Sequence, residues 1–100
     1  MAVSGFVSKD LVRNPHNLEL WLKVNGKKKQ QDNTSAMRFQ IGELVEYFSS
    51  MIELNEGDLI LTGTPSGADP IHSGDFVEAK MQQDGKDIAS MFLKVSDAGL

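Results

Sequence analysis

Leu18-Glu19-Leu20-Trp21-Leu22-Lys23-Val24-Asn25-Gly26 decides the fold. Leu18, Leu20, Leu22 and Val24 fall on one face of an extended chain and Glu19, Trp21 and Lys23 on the other, the signature of a half-buried strand. Asn25-Gly26 then supplies the pair of residues that best tolerates the positive φ angles of a type I′ turn. The chain is therefore expected to return antiparallel over Lys27 to Gln31. That return segment is polar throughout, so it belongs at a sheet edge, where Lys27, Lys28 and Lys29 face solvent and discourage further pairing.

Downstream of the hairpin, Ile41, Leu44, Val45, Phe48 and Ile52 recur at helical spacing and predict one amphipathic helix over about 41–52. Glu43 and Glu46 sit near its start, where acidic side chains offset the helix dipole, and they are read as solvated rather than as paired catalytic carboxylates. The chain then repeats itself in miniature. Leu54-Asn55-Glu56-Gly57-Asp58-Leu59-Ile60 and Ile71-His72-Ser73-Gly74-Asp75-Phe76-Val77 share an apolar residue, Gly-Asp and two apolar residues at the same spacing. Each reads as a tight turn that launches a strand, with Asp58 and Asp75 bonding nearby amides. Phe76 to Met81 and Ile88 to Val95 form a further expected strand pair, joined through Asp84-Gly85.

Asn14-Pro15 marks a break before the first strand, and the first seventeen and last five residues read as irregular. The expected fold class is α+β, mostly β with one α-helix, in one module with its core at about 18–95.

Composition narrows the function. The 100 residues are 40% hydrophobic, which favours a folded chain with a thin core. A net charge of −4 gives no general electrostatic reason to bind nucleic acid. No apolar run approaches the length of a membrane span, and Met1 to Phe6 lack the basic-then-apolar pattern of a secretory leader. The expectation is a soluble intracellular protein, cytoplasmic or mitochondrial, with no nucleic-acid or membrane partner.

The absence of cysteine removes disulfides, thiolate zinc sites and cysteine nucleophiles. His16 and His72 have no partner at metal-ligand spacing, and no serine sits in a Gly-x-Ser-x-Gly elbow. The richest local cluster is Thr62-Gly63-Thr64-Pro65-Ser66-Gly67, directly after the apolar run Leu59-Ile60-Leu61. Small hydroxyl residues, glycines and free amides at a strand end can approach and hydrogen-bond an anionic group, although an ordinary Gly/Pro turn has the same composition. It lacks the lysine and spacing of a P-loop.

Asn25-Gly26, Gln30, Thr34, Met37, Phe39, the helix, Leu54-x-x-Gly57-Asp58-x-Ile60, Thr62-Gly63-Thr64-Pro65 and Gly74-Asp75 occur in that order. The ordered set resembles the fumarylacetoacetate hydrolase family, with Leu20 to Gly26 nearest its acylpyruvase branch. The resemblance runs from about Val3 to Val95 and implies the C-terminal part of that family's mixed β-roll domain.

It also implies a metal-dependent hydrolase or lyase acting on C–C bonds of acylpyruvates or related oxo acids, with oxaloacetate decarboxylation a further family activity. In the family, Mg²⁺ or Mn²⁺ polarises the oxo acid, held by a Glu-x-Glu pair and a later Asp, while a His/Glu pair activates water. None of these elements has a counterpart here. Neither a catalytic residue nor a metal ligand is therefore assigned, and no ion is expected to bind this chain alone.

What the resemblance carries over is substrate binding. Thr64 is similar to the family threonine that bonds the substrate carboxylate, Gly63 allows close backbone approach, and Thr62 is a further candidate. Asp69, shortly after this loop, would oppose a carboxylate unless it points away. Whether the chain is itself an enzyme stays open. It reads as part of an enzyme completed by a complementary half, as a non-catalytic dimerisation or binding module, or as a truncated gene product, with a homo-oligomer or complementary half as its expected partner.

Overall fold

The computed structural model describes residues 3–97, so positions 98–100 of the expected irregular tail lie outside the described residues. Four strands form one antiparallel sheet: β1 (Glu19–Val24), β2 (Lys27–Asn33), β3 (Phe76–Gln83) and β4 (Lys86–Lys94). Their order is β2-β1-β3-β4, which puts the lysine-rich return strand at an edge, as its composition required. One helix, α1 (Ile41–Ser49), follows β2 and ends about one turn earlier than the apolar spacing suggested.

Both hairpins close on the residues that predict them. Asn25 and Gly26 have φ of 52° and 79°, Asp84 and Gly85 of 51° and 77°, so each turn uses two successive left-handed residues. Asn25 does more than turn. Its side-chain amide donates to Asp75 Oδ1 and its side-chain oxygen accepts the Phe76 N–H, each at 2.9 Å. The tip of the first hairpin is thereby tied to the start of β3.

Register sorts the side chains. Leu20, Leu22 and Val24 lie opposite Met81, Ala79 and Val77, which in turn face Ala89, Met91 and Leu93 on β4, making one face almost wholly apolar. Trp21, Lys80, Phe76 and Phe92 share the opposite face. Between β1 and β2 the register shifts at Leu22/Lys23, so that Leu22 pairs with Gln30 and Lys29 bulges out of the ladder.

One expectation is corrected. The run Leu59-Ile60-Leu61 forms no strand, and two strands rather than at least three follow the helix among the described residues. An extended segment becomes a strand only when another strand accepts its backbone hydrogen bonds, and no described backbone group pairs with this run. Within the polar edge strand β2, Gln30 is nevertheless buried, 8% exposed.

Leu18 and Val77 are the buried apolar residues, and no described side chain is fully enclosed. Along α1, Ile41 and Val45 stay exposed, and Phe48 and Leu44 are half-buried. The helix start is satisfied locally, since the Gln40 N–H donates to Glu43 Oε1 at 3.1 Å. Glu43 thus has a capping task at the helix start. No helix of the described residues is long and apolar enough to cross a membrane.

Candidate functional site

The apolar face of the sheet is partly roofed by the loop that follows Leu61. A cavity of about 300 Å³ lies between them, with Leu20, Leu22, Ala79, Met81, Ala89 and Met91 as its floor and Gly63, Thr64 and Pro65 at its rim. Gln30 and Ser4 add polar groups. Thr62 does not line it, so of the residues singled out in the sequence the fold brings Thr64 and Gly63 to the cavity and leaves Thr62 beside it.

The bulge in β2 holds this loop in place. Gly67, at φ +98°, packs so closely on the bulged residue that a Cβ there would collide with the Lys29 carbonyl oxygen. Any side chain at 67 would push the loop off β2 as well as strain the backbone. One residue along, Gln30 reaches into the roof and donates from Nε2 to Thr64 Oγ1 at 2.9 Å and to the Pro65 carbonyl. A carbonyl oxygen only accepts, so the contact with Pro65 fixes which end of the Gln30 amide faces the loop. Thr64 must then accept from the same nitrogen, which leaves its own hydroxyl proton free for another acceptor. No protein group accepts the backbone N–H of Thr62, Gly63 or Thr64 among the described residues.

Charge is almost absent from the cavity. The ammonium of Lys80 is held by Asp87 at 2.8 Å, within reach of the Trp21 ring on the other face of the sheet. The Asp87 contact raises the Lys80 pKa, while the Gln82 amide and then Lys80 lower that of Asp87. Asp69 is exposed and does not line the cavity, so the expected repulsion at this rim has no geometric basis. No carboxylate or imidazole lines it either, and among the described residues no three His, Asp or Glu side chains gather as a metal site would need. The residues present do not fit a resident Mg²⁺ or Mn²⁺.

The histidines have structural surroundings. His16 lies beside the start of α1, where its Nε2 is 3.4 Å from the Ile41 N–H, and His72 is an exposed turn residue whose N–H donates to Asp75 Oδ2. Thr34, another residue of the ordered motif set, spends its hydroxyl on backbone: it accepts the Leu18 N–H and donates to the Pro15 carbonyl. Gln30 is the site residue that sequence reasoning left without a role. Its one signal was membership of the ordered motif set.

The chain belongs to the fumarylacetoacetate hydrolase family: residues 1–95 match the family description "Fumarylacetoacetate (FAA) hydrolase C-terminal". Among its relatives, the mitochondrial oxaloacetate tautomerase FAHD1 of Mus musculus is 50% identical over 93 residues, covering 93% of this chain and 40% of the relative. The mitochondrial oxaloacetate decarboxylase of Dictyostelium discoideum is 46% identical, over 76% of this chain and 35% of that protein. The chain thus spans about a third to two-fifths of the length of the curated relatives it matches.

Solved structures agree with the fold. The yeast fumarylacetoacetate hydrolase family protein ynq8 superposes with a TM-score of 0.86 at 29% identity, covering 92% of this chain and 40% of that one. Maleylpyruvate hydrolase from Sphingobium sp. SYK-6, in complex with manganese(II) and pyruvate, superposes at 0.83 with 30% identity, over 91% of this chain and 33% of its own.

Proposed function

We propose that this chain supplies one wall of an oxo-acid site in an enzyme of the fumarylacetoacetate hydrolase family, acting on C–C bonds of acylpyruvates or on oxaloacetate. One observation carries the reading: Thr64 stands at the rim of an apolar cavity with its hydroxyl proton uncommitted, beside unpaired backbone amides. A carboxylate takes several donors at once, and the Thr64 hydroxyl with the Gly63 and Thr64 N–H groups offers such a set. Thr62 stands behind it as a lesser contributor. The apolar floor would take the carbon chain of the substrate. Relatives named for oxaloacetate and maleylpyruvate chemistry, one of them holding pyruvate and manganese, support this substrate class.

In this reading the chain, with its core at about 18–95, is the C-terminal part of the catalytic domain. The divalent ion and the proton-transferring groups come from outside it, on a complementary half. The compartment is mitochondrial or cytoplasmic. The chain alone is then expected to leave acetylpyruvate intact in excess Mg²⁺, since a hard dication needs several oxygen ligands that this cavity lacks. Turnover that survives purification and disappears with EDTA would refute that.

The test of the site itself is a pyruvate titration of the ¹⁵N-labelled chain. Amide shifts at Gly63, Thr64 and their neighbours are expected, weakened about tenfold or more by Thr64→Val, which keeps the shape and removes a bond to a charged partner worth roughly 1.5–3 kcal/mol. Equal affinity in the variant would make Thr64 a turn residue only. A second reading, a non-catalytic association module, draws on the exposed apolar side chains, with Phe92 65% and Leu61 77% exposed.

A further inference from the structure

We infer that Gln30 is a positioning residue: its side-chain amide sets the direction of the Thr64 hydroxyl, so that the proton of that hydroxyl is presented to an oxo-acid carboxylate in the cavity. The inference rests on the carboxylate reading of Thr64 and adds the residue that makes it work. A threonine hydroxyl can donate or accept, and a free one rotates between the two. At a carboxylate site only donation is useful, and a hydroxyl pointing its lone pairs outward would repel the ligand. The protein therefore needs something behind Thr64 that can only donate.

Gln30 meets that requirement. It lies in a strand otherwise rich in exposed lysine and glutamine, yet is itself buried, with its Nε2 against Thr64 Oγ1 and the Pro65 carbonyl. The two N–H bonds of one amide nitrogen are thus spent on two adjacent loop residues. The bulge at Lys29 is what turns residue 30 toward the loop, and the close contact of Gly67 with the Lys29 carbonyl keeps the loop at that distance. Gln30, Lys29 and Gly67 together act on Thr64 and need not touch the ligand.

Gln30→Glu provides the sharpest test, because it keeps size and shape while replacing the donor by an acceptor. At neutral pH the introduced carboxylate would take the Thr64 proton for itself and turn it away from the cavity. Pyruvate affinity, read by the amide titration, should then fall tenfold or more, and should recover as acid protonates the introduced carboxyl and restores one donor. Gln30→Met removes the donor without offering an acceptor. It should weaken binding about threefold or more with no such pH dependence, and it decides the matter should the glutamate variant fail to fold.

Wild-type affinity in either variant, or a loss in a folded Gln30→Glu chain that acid does not relieve, would overturn the inference. A second readout separates it from the reading on which it rests. The two side-chain amide protons of Gln30 should be shifted and protected from exchange in the unliganded chain, and one should move toward its free position in Thr64→Val. If the wild-type chain binds no pyruvate, the carboxylate reading fails, and these two protons decide whether Gln30 orients the hydroxyl. Free-like, rapidly exchanging protons would show that it does not.

Discussion

The segments 54–60 and 71–77 begin alike and end differently. In each, glycine takes a left-handed angle, +91° at Gly57 and +92° at Gly74, and the following aspartate closes the turn. Asp58 Oδ2 accepts the Asn55 N–H at 2.8 Å and Asp75 Oδ2 the His72 N–H at 2.9 Å. The aspartate amides return the bond to the same residues' carbonyls, at 3.1 and 3.0 Å. Beyond the aspartate the likeness stops. Phe76-Val77 enters the sheet between β1 and β4, whereas Leu59-Ile60-Leu61 runs on without a partner into the Thr64 loop. A turn is encoded within its own few residues, but a strand is a relation between two segments, and only the second copy has Asn25 waiting to receive it.

The largest expected effect concerns the unpaired copy. With Leu59 73% and Leu61 77% exposed beside a half-roofed apolar face, the chain is expected to associate with itself or with a complementary chain. Reburied apolar area returns roughly 25 cal/mol per Å². Sedimentation equilibrium should give an apparent mass that rises with concentration, and the amides of 59–61 should gain exchange protection as it does. A concentration-independent monomer with one cooperative thermal transition would mean that the chain closes its own core, and both the unsatisfied state of 59–61 and the reading as part of a larger domain would fall.

Next in size is a matched pair of truncations at the equivalent positions Ile60 and Val77. Val77 is 9% exposed in the middle of the sheet, so Val77→Ala should cost about 2 kcal/mol of stability from lost methyl burial and the void left behind. Ile60→Ala removes more hydrocarbon but from a half-buried side chain outside the sheet, and should cost less than about 1 kcal/mol at concentrations where the chain is monomeric. Urea midpoints of the two variants compare them directly. Equal losses would show that the first copy has a packing partner after all.

What was legible in the sequence follows the same division. Both hairpins were readable because Asn25-Gly26 and Asp84-Gly85 carry their own turn geometry and are flanked by alternating residues. The helix was readable from its apolar spacing, although its end was not, since the stripe continues to Ile52 while the helix stops at Ser49. The fate of Leu59 to Leu61 depended on a distant segment and left no local mark. Gln30 was hidden for a related reason. A regular hairpin through Asn25-Gly26 places Lys29 opposite Leu22, and the bulge substitutes Gln30 there, so simple alternation assigns the wrong residue to the apolar face. Thr64 and Gly63 stood out through their resemblance to a family motif, whereas the residue that holds them did not.

The smallest effects probe the tie that lets the second copy become a strand. Asn25→Gly keeps the left-handed turn but removes both side-chain bonds, to Asp75 and to the Phe76 N–H, so the change should weaken the chain by about 1 kcal/mol rather than unfold it. Acid should act on the same tie from the other side. The His72 N–H and then the Asn25 amide favour the ionised form of Asp75 and lower its pKa in the folded chain. A carboxylate whose folded pKa lies below its unfolded value adds stability above the unfolded value and loses that contribution as pH falls through the folded one. The denaturation midpoint should therefore decline on the acid side of the ordinary carboxylate range. Asp75→Asn should remove its share of that decline, and so should Asn25→Gly in part. Because the group remains partly open to solvent, salt and water screen the effect and it should be slight. A decline identical in wild type and Asp75→Asn would mean that the tie to the first hairpin contributes nothing to launching β3, and the difference between the two turn copies would have to come from sheet pairing alone.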